Sequence, residues 1–511
     1  MTSPDVRKNL RCWNAIAADY QERHGEQLLS DEPLWGAFGI RDDELGLLGD
    51  VEGLDVLELG SGAAQLGRTL SARGARVVAI DVSREQIAAG RVEGPPVTFV
   101  CGDAEELPFA SESFDLIVSD HAFAFLEPAA ALSEASRVLR PGGRLVTCFM
   151  STWAYCCWSD EAGKTIPELL RSYFELSRLE DDDHVQFPQP LGRFATLALE
   201  RDLDLDALVE LQAPEEGETS FGEFVDREWA SRWPAEMVWA FRKRGGPARD
   251  EEPPWRVGPP GDELDDARAN RQSWNAASVE YQEQHGPQID DRERVWGLWS
   301  LPETELGVLG DLEGKRVLEL GCGGGQWSSF LSRDGIDIVG MDNSIAQLRH
   351  APAVMERIGG RFSRVNASGE ALPFADESFD VVFCDHGAMS FADPYRTVPE
   401  VARILRLDGR LVFNAVSPFL FCCYWDEETE RPNERLTRNY FELGADRWEG
   451  QVDYQLAYGK WIALFKRCGL KVERWLEPRP GPDDETTYTT APHSWARRFP
   501  AELLWVTRKL R

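Results

Sequence analysis

Positive charge is scarce in this chain. It has 55 Lys and Arg against 88 Asp and Glu, a formal net charge of −33 at pH 7. Phosphate backbones are bound by clustered Lys and Arg, so this balance argues against nucleic acid or an anionic membrane as a main partner. The acidity itself reads as a solubilising surface. Long apolar runs are also missing. The longest, 145–158 and 411–425, are too short to span a bilayer and are broken by polar residues. The start, Met1-Thr2-Ser3-Pro4-Asp5, lacks a basic region and an apolar one, so no signal peptide is expected. Cytoplasm is the expected compartment. No C-x-x-C pair occurs among the 10 cysteines, which are expected as thiols, neither a disulfide framework nor a metal site. Cys156-Cys157 and Cys422-Cys423 read as small apolar packing, pointing to opposite faces of a strand.

What the chain does have, it has twice. Val56-Leu57-Glu58-Leu59-Gly60-Ser61-Gly62-Ala63-Ala64-Gln65 returns as Val317-Leu318-Glu319-Leu320-Gly321-Cys322-Gly323-Gly324-Gly325-Gln326. An apolar run, an acid near its end and a Gly-rich turn opening a helix describe a nucleotide-type pocket at a strand's C-terminal edge. Trp13-Asn14-Ala15, Tyr20-Gln21-Glu22, His24-Gly25 and Trp35-Gly36 recur as Trp274-Asn275-Ala276, Tyr281-Gln282-Glu283, His285-Gly286 and Trp296-Gly297. Asp120-His121 recurs as Asp385-His386, and Pro234-Ala235-Glu236 as Pro500-Ala501-Glu502. A period this long indicates two duplicated domains, not a solenoid. The expected division is domain one at 1–244, a Pro-, Gly- and acid-rich linker at 245–267, and domain two at 268–511.

Each half alternates short apolar strands with helices, which implies a parallel sheet covered on both faces. Expected strands in the first half are 55–59, 76–80, 97–100, 115–119, 144–149, 207–211 and 237–241, with a turn at Pro141-Gly142-Gly143 before the fifth. In such sheets ligands bind beyond the strands' carboxyl ends. Glu58 and the turn 60–64 stand there, then Asp81, Asp103 and Asp120-His121. Asp81 follows Glu58 at close to the spacing of about 20 residues at which an acid reaches a ribose hydroxyl.

A dinucleotide site wants a third small residue after the two glycines, but Gln65 and Gln326 occupy that position. The acid beside the turn would also repel a pyrophosphate. No Gly-x-x-x-x-Gly-Lys-Ser/Thr loop occurs. The pattern therefore suits a nucleoside without phosphates, one carrying an ammonium or sulfonium.

Each half resembles a class I S-adenosylmethionine (SAM) dependent methyltransferase of the small-molecule group related to ubiquinone/menaquinone methyltransferases. The resemblance rests on Val-Leu-Glu-Leu-Gly-x-Gly, on Ile80-Asp81-Val82-Ser83 with Met341-Asp342-Asn343-Ser344, and on Asp103-Ala104-Glu105-Glu106-Leu107-Pro108-Phe109. Ser113-Phe114-Asp115 with Ser378-Phe379-Asp380, and Arg137-Val138-Leu139-Arg140-Pro141-Gly142-Gly143, complete it. It implies two Rossmann-like, doubly wound, seven-stranded α/β sheets in tandem, with SAM as cofactor. In the first copy Gly60, Ser61 and Gly62 would admit the cofactor's methionine part. Glu58 would face its ammonium, Asp81 its ribose, and Asp103 with Ala104 its adenine. Tyr20 would lie on a helix closing over it, and Asp120 at its edge. The second copy offers Tyr281, Glu319, Gly321, Cys322, Gly323, Asp342 and Asp385, with Ser368 and Gly369 in place of Asp103 and Ala104. Ala64 stands where the last glycine of the turn is usual; the second copy has Gly325. Two pockets are expected, not equal ones.

The cofactor brings its own activated methyl group, so a base is needed only for a protonated acceptor. His121 and His386 are the catalytic candidates; a structural hydrogen bond is the plainer reading of each. His24 and His285 recur on the covering helix and carry the same two readings. Trp153, Tyr155, Trp158, Phe419, Phe421, Tyr424 and Trp425 follow the fifth strands as core or as the lining of a mouth for a flat or apolar small molecule. An Asn/Asp-Pro-Pro-Tyr motif is absent, which disfavours DNA as the acceptor. The two halves are expected to pack as a pseudo-dimer. The rival to two working domains is one catalytic domain with a SAM-binding or structural twin.

Overall fold

Each half of the sequence folds around its own seven-stranded sheet in the computed structural model, which describes residues 3–246, 265–291, 293–423, 432–448 and 450–510. Most of the expected linker, and the aromatics Tyr424 and Trp425, lie outside the described residues. The chain divides into two compact units, Met1–Asp250 and Glu251–Arg511.

The first sheet is built from β1 (Asp55–Leu59), β2 (Arg76–Asp81), β3 (Val97–Cys101), β4 (Phe114–Asp120), β5 (Leu139–Met150), β6 (Leu203–Leu211) and β7 (Glu236–Lys243). Their spatial order is β3-β2-β1-β4-β5-β7-β6. The second sheet repeats it with β8 (Arg316–Leu320), β9 (Asp337–Asp342), β10 (Ser363–Asn366), β11 (Phe379–Asp385), β12 (Leu405–Val416), β13 (Leu470–Leu476) and β14 (Glu502–Lys509). Val56, Leu57 and Leu59 of β1 are each 0% exposed, the mark of a strand covered on both faces. The order reverses between β1 and β4, which opens a crevice at their carboxyl ends.

The sheet is not wholly parallel, as strand-helix alternation implied. Strands β1 to β5 pair in parallel, but β7 runs antiparallel to both β5 and β6. The β6–β7 connection holds only the four-residue helix Arg227–Ala230, too short to return the chain across the sheet. Nor does Pro141-Gly142-Gly143 precede the fifth strand. It forms a bulge inside β5, where pairing steps from Phe114↔Leu139 to Leu116↔Arg144. The double cysteines sit in or at the end of the short helices Thr152–Cys157 and Pro418–Cys422, not in strands, and all four are buried. Among the described residues no helix is long and apolar enough to cross a membrane.

Two helices in each unit position the site. They are α1 (Pro4–Leu28) and α2 (Gln65–Ala72), then α3 (Asp265–Asp291) and α4 (Gln326–Arg333). Ser3 caps α1 by accepting from the Val6 amide at 3.1 Å, and Pro4 opens it. After α1 the Trp-Gly pair turns the chain back to the sheet. Trp35 is 0% exposed against Val56, Val118, Val146 and Val238, and Trp296 occupies the same place in the second core. Burial of a side chain this large contributes about 1.5–3 kcal/mol. It anchors the next few amides at the strand ends.

Candidate functional site

In the first unit β1 runs into the turn 60–64 and then α2. Gly60 has φ 60°, and a Cβ there would lie 2.2 Å from Ala122 Cβ. A Cβ on Gly321 would lie 2.5 Å from the Ala388 amide nitrogen. The first glycine is therefore demanded by the chain's own packing against the end of the fourth strand. The next one differs. A Cβ on Gly62 or Gly323 would find its nearest neighbour only at 3.8 Å, so each leaves an open cradle. The Gly62 amide donates to Asp81 Oδ2 at 2.8 Å and the Ser83 amide to Oδ1 at 2.7 Å. Asp342 accepts from Gly323 and Ser344 at the same two distances. Each carboxylate oxygen keeps a lone pair for a further donor. Glu58 accepts from the Gly67 amide at 3.0 Å, and Glu319 from the Ser328 amide at 2.9 Å and its hydroxyl at 2.5 Å.

Gln65 and Gln326 have a role of their own. Gln65 donates to Gln21 at 2.7 Å, and Gln21 donates to Gln86 at 2.9 Å. Gln326, Gln282 and Gln347 repeat the chain, with both bonds at 2.9 Å. The long helix is thereby fastened across the glycine turn. Tyr20 lies on that helix, edge-on to Trp13 with centroids 5.6 Å apart, and Tyr281 stands likewise to Trp274 at 5.4 Å. His24 stacks on Phe221 and His285 on Tyr488, both at 4.1 Å, and their Nδ1 atoms bond Ser220 and Thr487. These histidines tie the helix to the loop before β7 or β14.

Two cavities border the expected residues. In the second unit every one of them, from Tyr281 on α3 to His386 after β11, borders a single cavity of about 380 Å³. In the first unit Tyr20, Glu58, Gly60, Ser61, Gly62, Asp120 and His121 border a cavity of about 100 Å³, which Asp81, Asp103 and Ala104 do not reach. Asp103 accepts from the Glu105 amide at 2.9 Å; Ser368 bonds the Glu370 amide at 3.3 Å. Phe421 lines the second cavity, while Trp153, Tyr155 and Phe419 are buried.

Burial pushes the carboxyl of Glu319 up to about 8, and those of Asp342 and Asp385 each up to about 6. Burial also raises Glu58, to about 8, and Asp81. Both sites are thus lined by acids held away from water, a setting that favours a cation. The sign for stability follows. The folded chain keeps the Glu319 proton to about 8, whereas the unfolded chain loses it in the ordinary carboxyl range. Its stabilisation is full at low pH and is lost as pH rises through about 8. Relative to Glu319→Gln, the parent's denaturation midpoint should fall between about pH 5 and about pH 8. A difference that stays flat over this range would show that Glu319 is ionised throughout.

The strand-end histidines have partners that local pattern did not reveal. His121 Nε2 lies 2.5 Å from Glu236 Oε1, and His386 Nε2 lies 2.5 Å from Glu502 Oε1. These glutamates begin β7 and β14 and are almost fully buried. The amides after the Trp anchors steady them: Ala37 donates to Glu236 at 2.8 and 3.0 Å, Leu298 to Glu502 at 3.0 Å. Burial opposes a charge on His121, but Asp120 and Glu236 outweigh it and raise the imidazole well above its ordinary value. The recurring Pro-Ala-Glu was the one signal in the sequence for this pair.

Residues 57–147 and 318–413 each match the family described as "Methyltransferase domain". A demethylmenaquinone methyltransferase of Beutenbergia cavernae is 38% identical over 142 residues, 27% of this chain and 57% of that protein. One of Mycobacterium sp. (strain JLS) is 38% identical over 141 residues, 27% of this chain and 58% of that protein. The chain thus spans little more than half the length of these relatives. A solved S-adenosylmethionine dependent methyltransferase of Mesorhizobium loti is 20% identical with TM-score 0.33, covering 39% of this chain and 95% of that one. With the domain matched twice, once in each unit, and the sheet order repeated, this chain carries two methyltransferase domains in tandem.

Proposed function

We propose that the chain transfers methyl groups from SAM to a small-molecule acceptor, with a cofactor pocket in each domain. The observation that carries this reading is the second cavity, bordered by Glu319, the open cradle at Gly323, Asp342, and Ser368 with Gly369, which stand at the carboxyl ends of the neighbouring strands β8, β9 and β10. That order fits an amino acid, a ribose and a base in sequence. Asp342 would hold the ribose hydroxyls, its two oxygens already aimed by Gly323 and Ser344. Glu319 would give up its proton to face the ammonium. Gly369 would lie on the adenine ring, with Ser368 at its amino group. Glu58, Gly62, Asp81, Asp103 and Ala104 would serve the first domain in the same way. When bound, the cofactor supplies the methyl group. The protein's share is alignment, which contributes about 7–11 kcal/mol when the nucleophile is held in line. Aromatic walls at Trp274, Phe391 and Phe421 favour a flat or apolar acceptor. No nucleic acid takes part, because the site's acids would repel a phosphate backbone.

Calorimetric titration of the full chain with SAM tests the two pockets. Two equivalents should bind. One equivalent would leave a single cofactor site with a twin, and none would overturn the reading. Methyl-labelled SAM with a metabolite extract, read by mass spectrometry, should then yield a labelled small molecule. Binding without any labelled product would leave a sensor instead of an enzyme.

A further inference from the structure

The two strand-end histidines are not in equivalent states. In the second domain, Glu502 Oε1 sits 2.5 Å from His386 Nε2 and also accepts from the Leu298 amide and the Asn414 side chain, at 3.0 and 2.7 Å. A carboxylate accepts only, so Nε2 carries the hydrogen. Asp385, the residue before, is turned to other donors. Its oxygens accept from the Gly297 amide at 3.0 and 3.1 Å and from Asn414 at 3.1 Å. Among the described residues no carboxylate other than Glu502 lies within ion-pair distance of His386, and the residue borders the large cavity. Its Nδ1 is left to face whatever occupies that space.

In the first domain the same ring is bracketed. Glu236 lies 2.5 Å from His121 Nε2, and Asp120 lies 3.1 Å from Nδ1. Two carboxylates beside the ring favour its charged form, though Asp120 Oδ1 makes no hydrogen bond to it. The neighbouring strand differs at the facing position. Opposite Asp385, β12 presents Asn414; opposite Asp120, β5 presents Cys148. The Asn414 side chain and the Gly297 amide hold Asp385, whereas the buried Cys148 thiol stands beside Asp120, whose Oδ1 stays within 3.1 Å of the imidazole.

We propose that His386 is the proton acceptor of the second domain, taking the proton from an acceptor O–H or N–H through Nδ1, whereas His121 stays a fixed imidazolium and the first domain serves acceptors that arrive without that proton. This rests on the methyl-transfer reading. As the acceptor's heteroatom forms its bond to the methyl carbon, its X–H bond breaks and the proton goes to Nδ1. The methyl–sulfur bond breaks with its electron pair staying on sulfur. Glu502 then steadies the imidazolium until water removes the proton. Asn414 is a positioning residue: its amide nitrogen donates to Asp385 and Glu502 and lies 3.3 Å from His386 Nε2. The other titratable groups at this end of the cavity are Tyr281, Tyr488 and Glu319.

Ring-nitrogen NMR of the full chain, without ligand, tests the assignment. The signal absent from His386→Gln should titrate at lower pH than the one absent from His121→Gln. Above its midpoint it should show hydrogen on Nε2 alone. Asn414→Cys should move the His386 midpoint up, and Cys148→Asn should move that of His121 down. A hydrogen on Nδ1 of neutral His386, or swaps that leave the order unchanged, would overturn the proposal. Once an acceptor is found, His386→Gln should slow transfer in an Asp81→Ala background by about 10²–10⁴-fold. An unchanged rate would also overturn it. If the NMR result holds but no acceptor is methylated, the methyl-transfer reading fails and the difference between the histidines stands.

Discussion

Asp342→Ala should weaken SAM binding in the second domain by about 100-fold or more and leave the first domain's site unchanged. The carboxylate would lose two charge-assisted hydrogen bonds to the ribose, at about 1.5 kcal/mol or more each, and about 3 kcal/mol corresponds to more than 100-fold in affinity. Folding stability should change far less. Asp342 accepts from the Gly323 and Ser344 amides, which favours the folded state. Burial pushes its carboxyl up to about 6, so holding it there is itself unfavourable. The two effects oppose each other, as is common where a residue is kept for binding. In a calorimetric titration of the full chain one of two binding steps should vanish, and Asp81→Ala should remove the other. Unchanged affinity in Asp342→Ala would remove the ribose role. Loss of both steps in either single variant would rule out independent pockets.

Much of this was readable in advance where the signal is local. Val56 to Leu59 is apolar because both faces of β1 are covered, and the acid and glycines that follow mark its carboxyl end. What was not readable depends on pairing across the chain. The direction of β7 is set by its connection to β6, not by its own residues, which read as an ordinary buried strand. The His121–Glu236 and His386–Glu502 pairs join residues 115 and 116 positions apart. A buried glutamate at the start of a strand looks like any polar residue at a strand end. Gln65 was informative only as the wrong residue for a dinucleotide; its bond to Gln21 needs the long helix laid over the turn. Asp103 and Ser368 stand alike in both copies by sequence, yet only Ser368 borders its unit's described cavity.

Ala64 is the clearest case of a departure that the three-dimensional packing explains. It adopts φ 58°, a left-handed conformation that L residues rarely take, and Gly325 takes the same place at φ 77°. A Cβ on Gly325 would lie 2.2 Å from Phe362 Cζ, and one on Gly340 would lie 2.6 Å from Phe362 Cε2. In the first domain those positions are Ala64 and Ala79, and the strand register puts Val97 where the second domain has Phe362. One domain fills the space with two methyl groups and a valine, the other with a phenyl ring. Gly325→Ala should therefore destabilise the second domain by about 2–5 kcal/mol, combining overpacking of about 1–3 kcal/mol with left-handed strain of about 1–2 kcal/mol. Made in a Phe362→Val background, the same change should cost only the strain. The difference, about 1–3 kcal/mol, is the coupling that a double-mutant cycle isolates. Hydrogen exchange of peptides from β8 to β10 reads it in the full chain, free of the first domain's own unfolding. Additive costs would mean that the ring moves aside, and that Ala64 differs from Gly325 for a reason other than volume.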